Sequence, residues 1–358
     1  MEPAVWHKAG GNLMKALLLT EYNHLEMTDC AVPAPAPQEV LVRVAACGIC
    51  GSDVHGYDGC SGRRIPPIIM GHEAAGTIES VGSGVTRFAM GDRVTFDSTV
   101  FCGVCAYCRR GETNLCGNRE VLGVSCSDYR RDGAFAEYVS VPGHIVYHLP
   151  ESISFTEAAM LEATSVAVHA VSLAEVGANS VALVMGAGTI GLLCLQALRA
   201  AGCSRLYIAD VDESRLALAN TLGATSAFVA GPGLEGQVKQ LTNGEGVDVV
   251  VEAVGRKESI ANSIDVVRKG GTIVLVGNIS PEVPVALQKV VSRQIRLQGS
   301  CASAGEYPRA MELMSTGAIK VKPLISVVAP LEEGPDWFQR LHARQPGLTK
   351  VVLTPGGR

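Results

Sequence analysis

Four cysteines stand close together in the run FCGVCAYCRRGETNLC: Cys102, Cys105, Cys108 and Cys116, with Gly103 and Gly111 between them. The chain has 12 cysteines in 358 residues, so this stretch is a marked concentration. Four thiolates at short, regular spacing suit a tetrahedral divalent metal, and zinc is the usual occupant. Four protein ligands leave no open position, so this zinc is structural. It stabilises a lobe and does no chemistry. Disulfides fit the same residues poorly, because pairing cysteines two residues apart makes tiny, strained loops. A chain of this length is also no small secreted scaffold, and free thiolates imply a reducing compartment.

A second constellation is Gly186-Ala187-Gly188-Thr189-Ile190-Gly191, which follows the apolar run VALVM and opens a helix candidate. In a chain with 40 glycines the motif alone is weak. Its strand-before, helix-after context is what a dinucleotide fingerprint requires. Gly186 makes the tight turn, Gly188 lets the backbone approach a pyrophosphate, and Gly191 lets helix and strand pack closely. The helix N-terminus then turns its free N–H groups and positive dipole end to the phosphates. Asp210 ends the next strand candidate, about 20 residues further on, where an acid accepts hydrogen bonds from the adenosine ribose and repels a 2′-phosphate. That favours NAD over NADP. Asp210 could instead cap the following helix, a task Asp212 can also perform. Arg215, on that helix, could soften the preference by leaning into the pocket.

The third set is split between Gly48-Ile49-Cys50-Gly51-Ser52-Asp53-Val54-His55 and Gly71-His72-Glu73. A thiolate, an imidazole and a carboxylate make a three-ligand zinc site with one position left for water or substrate. Such a zinc is a Lewis acid that lowers the pKa of a hydroxyl. Taken singly, each residue has a bland reading: His72 as a turn histidine, Glu73 as its solvated neighbour, Cys50 as a small core residue. A dinucleotide loop and a closed zinc site in the same chain raise the weight of the set. Cys47 and Cys50 both lie in ACGIC, and the catalytic ligand is expected at Cys50. Ser52, two residues beyond it, can take a substrate proton, whereas Ile49, two beyond Cys47, cannot.

These residues need elements to hold them. At 358 residues the length suggests about two domains. Hydrophobic residues are 47 % and charged residues 18 %, which is ample for a globular core. The net charge of −5 and the lack of a Lys/Arg run argue against a nucleic-acid partner. The longest apolar runs are far too short to span a bilayer. Residues 1–13 lack the apolar core of a signal peptide, so they read as a disordered extension, and the address as cytoplasmic. Ala16–Thr20, Val40–Ala45, Gly76–Val81 and Arg93–Thr95 are short strand candidates broken by Gly and Pro. Later the texture changes. Strands are expected at Val181–Met185, Leu206–Ala209, Val247–Glu252 and Thr272–Val276. Helices are expected at Thr189–Ala200, Glu213–Leu222 and Ile260–Val267. Apolar strands alternating with helices mean a parallel, doubly wound sheet.

Taken together, the motifs GICGSDVH at 48–55, GHEAAG at 71–76, GDRV at 91–94, the cysteine lobe, DGAFAEY at 132–138, LEATSVAVHA at 161–170, GAGTIG at 186–191 and VKPL at 321–324 resemble the zinc-dependent medium-chain alcohol dehydrogenases, sorbitol or polyol branch. The resemblance runs from Met14 to the C-terminus. It implies an α/β protein with a GroES-like, mainly-β catalytic domain and a doubly wound Rossmann dinucleotide-binding domain. The expected parts are a catalytic domain over 14–164, a Rossmann domain over 165–298 and a return to the catalytic domain over 299–358. It implies two zinc ions per chain and NAD. The catalytic zinc would be held by Cys50, His72 and Glu73, with Glu162 as an alternative carboxylate. Ser52 would relay the substrate proton, with His55 at the outer end of the relay, and Asp53 would orient the ligand histidine. Asp53 has an alternative as a helix cap, and His55 as a surface histidine. Relatives are dimers or tetramers, and a homotetramer is expected.

The implied activity is hydride transfer from a secondary alcohol (a polyol, sugar alcohol or related hydroxy compound) to NAD. Animal sorbitol dehydrogenases carry an Arg-Tyr pair for polyol hydroxyls where this chain has Ala302-Ser303, which puts sorbitol itself in doubt. Bacterial galactitol-phosphate and threonine dehydrogenases are almost as similar. Tyr57 reads equally as pocket lining or as packing. Two other readings stand beside the main one: a non-catalytic zinc-binding scaffold, which the lobe alone would permit, and a zinc-free NADPH quinone or enoyl reductase of the same superfold, which should lack the Cys50, His72 and Glu73 set.

Overall fold

The computed structural model describes residues 12–356. The first hairpin pairs β1 (Leu13–Glu21) with β2 (His24–Ala31), and Asn23 turns between them in the left-handed region at φ 63°. Leu13 pairs with Ala31, and Asn12 accepts from the Val32 N–H. These two residues of the expected extension are therefore tied into the sheet. Residues 1–11 lie outside the described residues. After the hairpin come β3 (Glu39–Gly48), α1 (Gly51–Tyr57), β4 (Ile68–Ile69), β5 (Glu73–Val81) and β6 (Arg93–Phe96).

β3 reads EVLVRVAACG, a nearly continuous apolar run, because it lies centrally in a seven-stranded sheet. Along that sheet the order is Val146–His148, β6, β5, β3, Lys350–Thr354 and Ile325–Pro330, with Tyr138–Pro142 also pairing with β3. The antiparallel register places Gly48 opposite Glu73 and Cys47 opposite Ala74. Gly48 also faces Val352 of the C-terminal strand. The end of β3, the start of β5 and the last strand of the chain thus meet at one point, and the candidate ligands cluster there. Beneath them lies a core that includes Leu17, Leu19, Val42, Val44, Ile68, Met70, Phe135 and Phe338.

The other compact unit is built on a six-stranded parallel sheet. Its order is Ser226–Val229, Arg205–Asp210, Val181–Met185, Val247–Glu252, Val267–Leu275 and Arg296–Gly299. This is the doubly wound order whose strand sequence reverses beside the first strand. All five residues of Val181–Met185 are buried, since helices cover both faces of a parallel sheet. The strand Val181–Met185 and the helix Thr189–Ala200 have the bounds read from the sequence. The helix expected at Ile260–Val267 instead runs Lys257–Val266, and Val267 opens the next strand by pairing with Val247.

The chain divides after Glu162 and again after Pro323, with Ala163–Pro323 as one unit and the flanking segments as the other. The sequence placed the second crossing at 298/299. Residues 299–323 stay with the parallel sheet because side chains tie them to it. Glu306 accepts from His169 Nδ1 at 2.8 Å, and Gln196 hydrogen-bonds both the N–H and the carbonyl of Lys320.

Candidate active site

Cys50 sits where β3 ends and α1 begins. Its backbone is extended at φ −83° and ψ 152°, and it is the helix N-cap. Its sulfur accepts from the Ser52 N–H at 3.5 Å, while Asp53 reaches back to accept from the Cys50 N–H at 3.2 Å. Asp53 therefore closes a capping box on Cys50, a form of the capping role that one sequence reading allowed. It is also more than a cap. Wholly buried, its Oδ1 accepts from Arg64 Nη2 at 3.0 Å and lies 3.3 Å from His72 Nδ1. The histidine contact is an ion pair bent away from hydrogen-bond geometry, and Nδ1 has no other partner among the described residues. Burial alone would raise the Asp53 carboxyl, but His72 and Arg64 hold it well below the usual carboxylate range. Burial would lower His72, yet Asp53 and Cys50 push it well above the usual imidazole value.

Glu73 opens β5 and His72 directly precedes it, after Gly71, which stands at φ +94° with Phe135 packed 2.9 Å from where a Cβ would lie. The Glu73 side chain lies against Gly48, where a Cβ would come 2.4 Å from Oε2. That oxygen accepts from Lys350 Nζ at 2.6 Å, and the same ammonium donates to the Ile49 carbonyl at 3.2 Å. Lys350 is 3 % exposed. Burial would lower it, but Glu73 and Cys50 raise it, so the lysine stays an ammonium. A buried cation and anion this close hold each other in place, and removing either leaves an unpaired buried charge.

Ligand atoms of Cys50, His72 and Glu73 lie within 4.8 Å of one another. Zinc bound at about 2.0–2.3 Å needs its ligand atoms about 3.5 Å apart, so a soft thiolate, an imidazole and a carboxylate grouped this way fit an open zinc site. Cys47 is outside the group. It is buried in β3, and burial pushes its thiol well above the usual value. Glu162, at the start of the helix Leu161–Ser172, also stands outside the three-atom group and accepts from Ser98 Oγ at 3.3 Å. Burial raises its carboxyl. Ser52 Oγ lies 3.5 Å from His72 Nε2 and 3.4 Å from Arg64 Nη2, and its side chain is exposed. His55 is half-buried one turn further along α1, and no hydrogen bond joins it to Ser52. Tyr57 packs against Phe338 and donates to the Asn23 carbonyl at 2.6 Å, so it is a packing residue.

The four lobe cysteines converge. Sulfur separations are 3.5 Å for Cys105–Cys108, 3.9 Å for Cys105–Cys116 and 4.0 Å for Cys102–Cys108. Tetrahedral zinc at Zn–S of about 2.3 Å needs edges of about 3.8 Å, so the set fits a closed site of four thiolates. Backbone N–H groups aim at the sulfurs. Those of Cys108 and Gly117 bring the Cys105 thiol down to about 6. Gly103 at φ +74° and Gly111 at φ +83° take the left-handed turns that bring the sulfurs round.

In the dinucleotide loop, Gly186 has φ +101° and Gly188 is the N-cap of the helix opened by Thr189 and Ile190. A Cβ on Gly191 would lie 1.8 Å from the Gly186 carbonyl oxygen, so helix and strand meet there without a side chain between them. A Cβ on Gly188 would meet nothing within 4 Å, which leaves a cradle open for a phosphate. Asp210 is not the helix cap, because Asp212 accepts from the Ser214 N–H at 2.9 Å. Asp210 instead accepts from Ala187 N–H at 2.5 Å and from Asp212 N–H at 2.9 Å. Arg215 leans toward Asp212, 3.4 Å away.

Three partners of the first site escaped the sequence reading: Arg64, Ser98 and Lys350. The trace they leave is faint. Lys350 precedes the apolar run VVL, and Arg64 sits in RRIPP with nothing to mark it as buried.

The comparisons with known proteins agree with this geometry. Residues 36–151 match the alcohol dehydrogenase GroES-like domain, and residues 189–316 match the zinc-binding dehydrogenase domain. A sorbitol dehydrogenase of Bacillus subtilis is 33 % identical over 96 % of this chain and 97 % of its own. An L-idonate 5-dehydrogenase of Vitis vinifera is 34 % identical over 91 % of this chain and 90 % of its own. The crystal structure of a zinc-binding dehydrogenase from Sinorhizobium meliloti, bound to NADP, superposes with a TM-score of 0.87 at 33 % identity, covering 96 % of this chain and all of the other. Among the described residues no helix is long and apolar enough to cross a membrane. With both domain models matched in order and relatives alike over nearly their whole length, the chain belongs to the zinc-dependent alcohol dehydrogenase family, in its polyol dehydrogenase branch, and is an oxidoreductase.

Proposed function

We propose that the chain oxidises a secondary alcohol of the polyol or sugar-alcohol class, with NAD as hydride acceptor. The grouping of Cys50, His72 and Glu73 within 4.8 Å carries this reading. A zinc in that group supplies a Lewis acid that lowers the pKa of an alcohol hydroxyl, and a nicotinamide supplies the hydride acceptor. The side chains do the rest. Asp53 orients the His72 ring, and Lys350 holds one oxygen of Glu73, leaving the other as ligand. Glu162 is the alternative carboxylate. Ser52 takes the hydroxyl proton and His55 leads it to solvent. The lobe cysteines hold a second zinc.

Asp210 supports NAD over NADP. Both of its oxygens are held by backbone N–H groups, so the carboxylate has no freedom to swing away from a 2′-phosphate. The subunit assembles as a homotetramer in a reducing cytoplasm. Leu287 and Val291, apolar and 67 % and 70 % exposed near the edge strand Arg296–Gly299, support self-association. One panel tests the reading: polyols, sugar-alcohol phosphates, threonine and simple secondary alcohols, each with NAD and NADP, with a zinc count and solution mass on the same protein. Two zincs per chain and NAD-dependent turnover of a polyol are expected. One zinc and no turnover would sink it.

A further inference from the structure

We propose that Arg64 is a positioning residue for the alcohol oxidation, one that ties the proton-relay serine and the histidine-orienting aspartate together through a single guanidinium nitrogen. The inference rests on the function proposed above. Arg64 is 4 % exposed. Its Nη2 donates to Asp53 Oδ1 at 3.0 Å and to Ser52 Oγ at 3.4 Å, its Nη1 donates to the Arg63 carbonyl at 3.0 Å, and its Nε has no partner among the described residues. Asp53 in turn lies 3.3 Å from His72. Ser52 and His72 are therefore joined behind the site by one bridge, Ser52–Arg64–Asp53–His72.

The surrounding fold is arranged to bring this side chain in. Ser125 bridges Arg64 in a parallel β-bridge, donating its N–H to the Arg63 carbonyl at 3.3 Å and accepting from the Ile65 N–H at 3.3 Å. Ser125 Oγ adds a bond to the Ile65 carbonyl at 2.6 Å. From that anchor the arginine crosses α1 at Gly56, where a Cβ would lie 2.0 Å from Arg64 Cγ. Any side chain at position 56 would block the path. Burying a guanidinium is costly even when it is paired, and here the same nitrogen that pairs with Asp53 also reaches the Ser52 hydroxyl.

A serine relay has a directional problem. Its hydroxyl has one hydrogen and two lone pairs and rotates freely. During oxidation, Oγ must accept the substrate proton on one lone pair while its own O–H bond breaks and that hydrogen passes on toward His55 and solvent, leaving the serine unchanged. A fixed donor on the second lone pair leaves one acceptor direction and one donor direction. Arg64 provides that donor, and its charge favours the oxygen as negative charge builds up nearby.

The experiment compares wild type, Arg64→Met and Arg64→Lys with NAD and the best polyol of the panel. It reads zinc per chain, kcat, KM and the D2O effect on kcat. Arg64→Met should keep two zincs and a KM within about twofold, while kcat falls by about 10- to 100-fold, part of the roughly 10²- to 10⁴-fold that a positioned proton transfer supplies. A D2O effect should appear or grow, because proton movement has become limiting. Arg64→Lys keeps the charge but replaces the rigid planar fork with a flexible ammonium, so the donor on Ser52 is no longer fixed in direction and kcat should fall between the two. If Arg64→Met fails to fold, the lysine variant alone carries the test, through a smaller kcat drop accompanied by the same growth of the D2O effect. In a Ser52→Ala background, Arg64→Met should cost little more, since the two act in series. Loss of the catalytic zinc in step with kcat would overturn the proposal, because Arg64 would then only prop up the ligand sphere. An unchanged kcat would overturn it too. Wild-type protein that turns over no alcohol would sink the dehydrogenase reading itself, whereas an active wild type with an indifferent Arg64 would sink only this inference.

Discussion

Cys47 and Cys50 are three positions apart and live in different chemistry. Cys47 points into the β3 core and stays a thiol, while Cys50 caps α1 and faces His72 and Glu73. Cys47→Ala should keep both zincs and most activity, at a packing cost of about 1 kcal/mol. Cys50→Ala should keep the lobe zinc, lose the other and drop turnover by several orders of magnitude, because a Lewis acid would take several kcal/mol off the barrier. Zinc analysis and kcat on both variants check this, and the reverse pattern would move the ligand three positions back, to Cys47. Asp210 makes a second prediction at this scale. kcat/KM with NAD should exceed that with NADP by at least about tenfold, roughly 1.4 kcal/mol of discrimination. Equal values would show that a carboxylate locked to Ala187 and Asp212 does not face the ribose. The candidate ligands were open to reading because thiolate, imidazole and carboxylate each announce their chemistry. The charged partners behind them were not. A lysine or arginine in sequence reads as surface, and only the fold reveals that Lys350 and Arg64 are buried.

At the scale of elements, two glycines three residues apart in the dinucleotide loop should fail in different ways. Gly191→Ala forces a Cβ to within 1.8 Å of a backbone oxygen, which no rotamer can relieve. It should lower Tm by several degrees, in line with about 1–3 kcal/mol for overpacking. Gly188→Ala meets nothing in the protein, so Tm should hold while the Kd for NAD rises at least tenfold, because the methyl would stand where the pyrophosphate approaches. Calorimetry and titration on the two variants separate these effects. Similar losses of both properties in both variants would contradict the division of labour. The cysteine lobe makes a comparable claim. Cys105→Ser should release the lobe zinc and lower Tm, since metal binding and local folding are coupled, while the activity of the folded remainder survives in part. Full stability with both metals retained and turnover lost would give the lobe another role. The strand–helix alternation from Val181 to Val276 was open to reading because buried parallel strands are short apolar runs separated by helical periods. The crossing after Pro323 was not. His169–Glu306 and Gln196–Lys320 are pairings between residues more than 100 positions apart, and local patterns carry no trace of them.

On the scale of the whole molecule, Lys350 and Glu73 are 277 residues apart in sequence and 2.6 Å apart in space. Lys350→Met should therefore be a costly substitution. Stranding one partner of a buried ion pair costs about 3–5 kcal/mol, so Tm should fall clearly even though no zinc ligand has been altered. Lys350→Arg should lose less. A methionine variant as stable as wild type would mean that Glu73 is held by other means. The same pairing has a consequence in time. Ribosomes deliver about 5–20 residues per second, so Cys50, His72 and Glu73 wait roughly half a minute for the strand that completes their surroundings. A nascent or prematurely ended chain therefore carries the ligands without the cation that holds Glu73. Glu73 gains its cation only once the strand Lys350–Thr354 has left the ribosome and docked beside β3, so this part of the pocket is built from two ends of a long stretch of synthesis.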